Sequence, residues 1–188
     1  MRQVAINIYR LRALVVVLLV AAAWAALVLA LVMAVGAKLA KAAFPGSNGK
    51  IAFVSDRTTG TGVNNPTGDF EIFTMNPDGT GLTQLTNNTA GDLDPTWSAD
   101  GTKTAFTRHQ DANDEVYVMD ANGDNQTRLT NNPASDFGPA WSADRTKIAF
   151  SSDRNGNFEI FIMNADGSNQ TNRTNNSAED REPGWQPT

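Results

Sequence analysis

Residues 139–176 read PAWSADRTKIAFSSDRNGNFEIFIMNADGSNQTNRTNN, and this stretch decides the fold because most of it occurs more than once. Pro139-Ala140-Trp141-Ser142-Ala143-Asp144 repeats Pro95-Thr96-Trp97-Ser98-Ala99-Asp100 after 44 residues (139 − 95), and Pro183-Gly184-Trp185 opens a further copy at the same step. Lys147-Ile148-Ala149-Phe150 matches Lys103-Thr104-Ala105-Phe106, with an earlier copy at Lys50-Ile51-Ala52-Phe53. Glu71-Ile72-Phe73-Thr74-Met75, Glu115-Val116-Tyr117-Val118-Met119 and Glu159-Ile160-Phe161-Ile162-Met163 keep the 44-residue step, as do Leu85-Thr86-Asn87-Asn88, Leu129-Thr130-Asn131-Asn132 and Arg173-Thr174-Asn175-Asn176. A fixed period of this size marks a repeat architecture, in which each unit buries its apolar faces only against its neighbours.

Within a unit the β-branched and aromatic runs are four to six residues long and are broken by Asp-Gly or Asn-Gly pairs, which signal hairpins. Four short strands per unit of this length is the arithmetic of a propeller blade. The expected fold is therefore all-β, a partial β-propeller of about three four-stranded antiparallel blades, preceded by one apolar N-terminal helix. The blades fall at about 44–94, 95–138 and 139–182, with the start of a fourth at 183–188. Trp97, Trp141 and Trp185, and Phe53, Phe106 and Phe150, hold equivalent repeat positions, and Trp97, Trp141, Phe106, Phe150, Ile160 and Ile162 are expected to pack between blades. Gly79, Gly123 and Gly167, with Asp78, Asn122 and Asp166 before them, are expected in type I′ turns. Arg145 stands where Gly101 stands one unit earlier, which predicts a strained turn or one of another type.

The chain divides sharply at about residue 43 into an apolar head and a polar body. Ala13 to Ala37 are 25 residues without a charge (37 − 13 + 1), flanked by Arg2, Arg10 and Arg12. As a helix that run is long enough to cross a bilayer. Residues 1–42 are expected to be a signal peptide or an N-terminal transmembrane anchor: the length favours an anchor, and Ala40-Lys41-Ala42 before Ala43 resembles a cleavage site. Either outcome exports residues 43–188 to a periplasmic or extracellular place, with the membrane touched only through the N-terminal segment. The chain has no cysteine, so packing alone stabilises the body. Residues 1–42 hold five of the fifteen basic residues and none of the twenty acidic ones, which leaves 10 − 20 = −10 for the body. Such a charge excludes a nucleic-acid partner, which needs a basic surface.

The string Pro-x-Trp-Ser-x-Asp-Gly, Lys-Ile-Ala-Phe, Ser-Asp-Arg, Asn-Gly-Asn-x-Glu-Ile-Phe, Met-Asn-x-Asp-Gly and Leu-Thr-Asn-Asn resembles the TolB-type (WD40-like) β-propeller repeat over residues 44–188. Departures are Arg145 for Gly, Arg173 for Leu, and Arg108-His109-Gln110 where Ser-Asp-Arg is expected. The resemblance implies an envelope propeller that binds other proteins, as in the Tol-Pal system; the αβ domain that precedes the propeller there has no counterpart in this sequence. TolB-type propellers also precede α/β-hydrolase peptidase domains, so the alternative is a fragment or regulatory propeller of such a peptidase, acting with a separate catalytic chain.

No catalytic, cofactor-binding or metal-binding residues are expected. There is no Gly-x-Ser-x-Gly elbow, and the single histidine, His109, replaces an aspartate seen at Asp56 and Asp153, which suits a surface turn. Asp153-Arg154-Asn155-Gly156-Asn157-Phe158-Glu159 has the oxygen density of a calcium loop, but its glycine falls at the fourth position and not the sixth, so a hairpin turn is expected. Glu71, Glu115 and Glu159 share one repeat position, as a circle of carboxylates or, preferably, as an edge charge facing Arg57 and Arg154. Asn-x-Ser/Thr triplets at Asn87, Asn125, Asn169, Asn172 and Asn175 read as turn vocabulary. The first unit is nine residues longer than the others (103 − 50 = 53 against 44), within Thr58 to Asp69, as a tolerated surface insertion or a recognition loop. The leading function is a non-enzymatic module that binds a protein or glycan. Blade one begins at Phe44 without a Pro-x-Trp strand while Pro183-Gly184-Trp185 is spare, which predicts a head-to-tail homodimer completing a six-bladed ring.

Overall fold

A computed structural model describes residues 49–186. The expected N-terminal helix, its role as signal or anchor, and the boundary at residue 42 lie outside these residues. Among the described residues there are eleven strands, all paired antiparallel, in three sheets. Blade one contains β1 (Ile51–Ser55), β2 (Glu71–Met75) and β3 (Thr83–Gln84). Blade two contains β4 (Gly91–Trp97), β5 (Lys103–Gln110), β6 (Asn113–Asp120) and β7 (Thr127–Arg128). Blade three contains β8 (Asp136–Trp141), β9 (Lys147–Ser152), β10 (Glu159–Asn164) and β11 (Thr171–Asn172). Among the described residues blade one thus has three strands, one fewer than its neighbours.

Successive side chains on a strand point to opposite faces, and β5 shows how that period builds a stack. Its Phe106 joins Ile72, Leu85 and Met119 in a core between blades one and two, with Tyr117 alongside. Its Ala105 turns the other way, into a core of Val116, Ile148, Phe150, Phe161 and Met163 between blades two and three. Phe106 and Phe150 are fully buried, whereas Phe53 in blade one is half-buried and stacks on Phe73 at 5.9 Å. Trp97 and Trp141 end β4 and β8 half-buried, and Trp141 packs on the rim of the second core. Ile160 and Ile162 are half-buried on the face of β10 opposite to Phe161 and Met163.

The first strands of blades two and three start earlier than the Pro-x-Trp signature suggests. Gly91, Asp92 and Leu93 already pair with His109, Arg108 and Thr107, and a bulge follows before Thr96 pairs with Ala105. Asp94 has φ 50° in that bulge, and Gly138 has φ 62° in the matching bulge of β8. An extra residue in one strand leaves the ladder locally unpaired and sharpens the twist.

The Asp-Gly and Asn-Gly turns are not type I′. That type needs positive φ at both central residues, and here Gly79, Gly123 and Gly167 are positive while Asp78, Asn122 and Asp166 are not. Each is a type I turn closed by a left-handed glycine: the Gly79 amide donates to Asn76 O at 2.9 Å, and Thr80 N donates to Asp78 Oδ1 at 3.0 Å. Two consecutive positive φ values occur instead at Asp111 (54°) and Ala112 (62°), in the β5–β6 hairpin. Arg145 takes the left-handed conformation of the glycine it replaces, φ 63° against 69° at Gly101, with the same amide bond to the serine three residues back. The strain is accepted, and the Arg145 guanidinium reaches across to the Asp100 carboxylate of blade two.

Candidate functional site

The 44-residue step repeats a polar motif wherever one blade passes into the next. Glu71, Glu115 and Glu159 lie at or near the start of β2, β6 and β10 and are buried, not displayed as an edge charge. Each accepts the backbone amide of an asparagine in the crossing turn: Asn88 at 2.6 Å, Asn132 at 3.1 Å and Asn176 at 2.6 Å. Those asparagines then donate from Nδ2 to Asp92 (2.8 Å), Asp136 (2.6 Å) and Asp180 (2.6 Å). The partners of Arg108 and Arg154 are therefore aspartates and not the glutamates: Arg108 grips Asp92 with Nε and Nη2 at 2.6 and 2.7 Å, and Arg154 Nη2 meets Asp136 at 2.8 Å. Both guanidinium groups lie over two aromatic rings, Phe106 and Tyr117 for Arg108, Phe150 and Phe161 for Arg154. Such planar, charge-assisted pairing fixes geometry and leaves these side chains no spare capacity for chemistry.

Blade one carries the exception. Asn113 and Asn157 donate from Nδ2 to the glutamates of their blades at 2.9 and 3.2 Å, but the equivalent residue in blade one is Asp69, whose side chain has no amide group to donate. Burial pushes Glu71 up to about 7, against the pull of the Thr86 hydroxyl and the Asn88 amide, and the Asp92 and Asp69 charges push the same way as burial. In blade three the Thr174 hydroxyl, with the Asn176 amide, holds Glu159 below its ordinary value.

The nine-residue insertion forms the long β1–β2 loop, and its base is braced. Asn65 is buried; its Nδ2 donates to Asp69 O at 2.7 Å and its Oδ1 accepts Gly68 N at 3.1 Å. Asn64 N donates to Gln84 Oε1 at 2.7 Å, and Gln84 Nε2 returns a bond to Asn64 O at 3.3 Å, which ties the loop to β3. Thr58 to Gly62, Pro66, Thr67 and Phe70 remain exposed, and Phe70 is one of three exposed large hydrophobic residues among those described, with Ile51 and Trp185. A braced loop with an exposed tip can bind at a low ordering cost.

The other sequence candidates are structural. His109 is exposed, with Nδ1 2.7 Å from Asp114 Oδ1. Asp153 to Gly156 form a hairpin turn, the Gly156 amide donating to Asp153 O at 2.9 Å. Among the described residues no three His, Cys, Asp or Glu side chains are gathered as metal ligands. A cleft of about 190 Å³ lies on blade two between Arg108, Asp111, Asn113, Glu115, Tyr117 and Arg128. It is smaller than the few hundred Å³ usual for small-molecule sites, and Arg108 and Arg128 are held by Asp92 and Glu115.

A family model described as TolB beta propeller domain matches residues 23–130 and again 100–188. No curated protein matches the chain. Among solved structures, a putative TolB from Agrobacterium tumefaciens is 28% identical with TM-score 0.59, over 64% of this chain and 43% of that one. TolB from Acinetobacter baumannii is 23% identical with TM-score 0.57, over 70% of this chain and 32% of that one. Hydrazine synthase of Kuenenia stuttgartiensis shares the fold at 21% identity and TM-score 0.52, over 65% of this chain and 23% of that one. The chain thus spans less than half the length of each of these proteins.

Proposed function

The chain belongs to the TolB beta propeller domain family, and from that membership we propose that it is a non-enzymatic exported module that binds a protein or glycan in the cell envelope or outside the cell. The observation that carries this reading is the β1–β2 loop: its base is fixed by Asn65 and Gln84 while its tip and Phe70 face solvent. The side chains with chemical potential, Glu71, Asp92, Arg108, Glu115, Asp136, Arg154 and Glu159, are engaged in pairing strands within a blade or in fixing the turns between blades. The body charge of −10 (10 − 20 over residues 43–188) favours a neutral or basic partner surface. Residues 1–42 deliver the body across a membrane as signal peptide or anchor, with residues 13–37 as the apolar span.

The test is affinity capture of envelope proteins and glycans on the immobilised body, run beside a panel of peptide substrates. A reproducibly retained partner with no hydrolysis supports the reading. Peptide hydrolysis by the isolated protein overturns it.

A further inference from the structure

We infer that the open edge of β1 is completed in trans by residues Asp180–Trp185 of a second copy of this chain, with Arg57 of one copy paired to Asp180 of the other. Among the described residues β1 pairs only with β2, whereas its counterparts β5 and β9 are flanked by strands on both sides. An unpaired strand edge is a row of unsatisfied donors and acceptors, ready to accept another strand.

Residues 180–185 follow the course that β4 and β8 take into their blades, without forming a strand. The Asp180 amide donates to Phe158 O at 2.8 Å, as Asp92 N does to Phe70 O at 2.7 Å. Glu182 N donates to Ser151 Oγ at 2.9 Å, as Gly138 N does to Thr107 Oγ1 at 3.1 Å. Glu182 has φ 54°, reproducing the bulge residues Asp94 and Gly138. Yet no strand lies beside this segment among the described residues.

The two edges match in charge and in apolar surface. In blades two and three a first-strand aspartate pairs with the arginine that covers two rings, Asp92 with Arg108 and Asp136 with Arg154. Arg57 covers Phe53 and Phe73 in the same way, but among the described residues it meets no carboxylate, and residues 1–48 contain no Asp or Glu. Asp180 accepts from Asn176 and meets no cation among the described residues. Trp141 lies opposite Ile148, which is fully buried, while the equivalent Ile51 is 42% exposed and Trp185 39%. Carrying the β8–β9 register over places Asp180 opposite Ser55, Gly184 opposite Ala52 and Trp185 opposite Ile51.

Residues 180–185 rest on blade three and β1 belongs to blade one, at opposite ends of the described stack, and the described residues of one copy do not bring them together. Two copies exchanging these segments about a two-fold axis bring together six of the described blades, a number within the range of closed propellers. This goes beyond the binding reading and does not depend on it: a monomeric chain leaves the loop and its partner untouched.

The chain has no cysteine, so introduced thiols report without background. The full chain in detergent carrying Ala52→Cys and Gly184→Cys is expected to form a disulfide-linked dimer on mild oxidation, and a mixture of the two single variants is expected to form the mixed dimer. Arg57→Asp or Asp180→Arg alone should lower the yield about tenfold, and the two together should restore it. Rescue by the double exchange separates lost pairing from lost folding. Free thiols on a monomer, a disulfide closed within one chain, or a yield indifferent to the charge changes would each overturn the inference.

Discussion

Replacing Asp69 by Asn should make blade one more stable at neutral pH, and more so as the pH rises. Glu71 is fully buried and shifted from 4.5 to about 7. A carboxyl raised in the folded state contributes stability that is complete below its unfolded value and is lost as the pH rises through the folded one. The wild-type body therefore loses stability between about pH 4.5 and just above 7, on the order of 3 kcal/mol in all. Asp69→Asn would remove a like charge and supply the Nδ2 donor that Asn113 and Asn157 give to Glu115 and Glu159. The substitution should recover about 1 to 2 kcal/mol at pH 8 and almost nothing at pH 5, the size of a hydrogen bond to a charged group. Guanidinium unfolding of the repeat body at pH 5, 6, 7 and 8 measures this directly. Parallel stability curves for wild type and Asp69→Asn would show that Asp69 adds nothing to the effect of burial on Glu71.

Gly123→Ala should cost at least about 2 kcal/mol, because its φ is 93° and a Cβ would stand 2.5 Å from Leu85 O, whereas Gly79→Ala at φ 82° meets nothing and should cost about 1 kcal/mol, both read from denaturant midpoints. Phe150→Ala empties a fully buried site between blades two and three and should cost about 3 to 5 kcal/mol by the same assay; an unchanged midpoint would remove the second core from the account. An alkaline phosphatase fusion after residue 60 should be active, because Arg2, Arg10 and Arg12 outnumber Lys38 and Lys41 across the apolar run, and an inactive fusion would place the body in the cytoplasm.

The blade period was legible because the same strand residues recur in register, and Phe106 and Phe150 follow from it directly. What the period hides is contact through space. Gly79, Gly123 and Gly167 look alike in sequence, yet Gly123 and Gly167 sit against the Leu85 and Leu129 carbonyls of the preceding blade while Gly79 faces open space. Arg108 stands at the position of Ser152, two residues before the place of Arg154, and still puts its guanidinium over the same pair of rings. A long flexible side chain reaches an equivalent site from either position, so register alone does not show that Arg108 takes the role of Arg154. The glutamates looked like edge charges because their asparagine partners lie 17 residues away, in a turn whose geometry only the packed blades define. Loop length showed that the first unit differs; that Asn65 braces the insertion depends on a single buried side chain.

Under the proposed binding role, the loop held ready by its own base is the contact surface. This is tested most directly by the affinity of the partner retained from envelope extract for wild type and for a variant shortened by nine residues between Thr58 and Asp69. The account predicts binding weakened at least about tenfold with the unfolding midpoint preserved, as for loss of a small interface anchor. Equal affinity for the two proteins would contradict it.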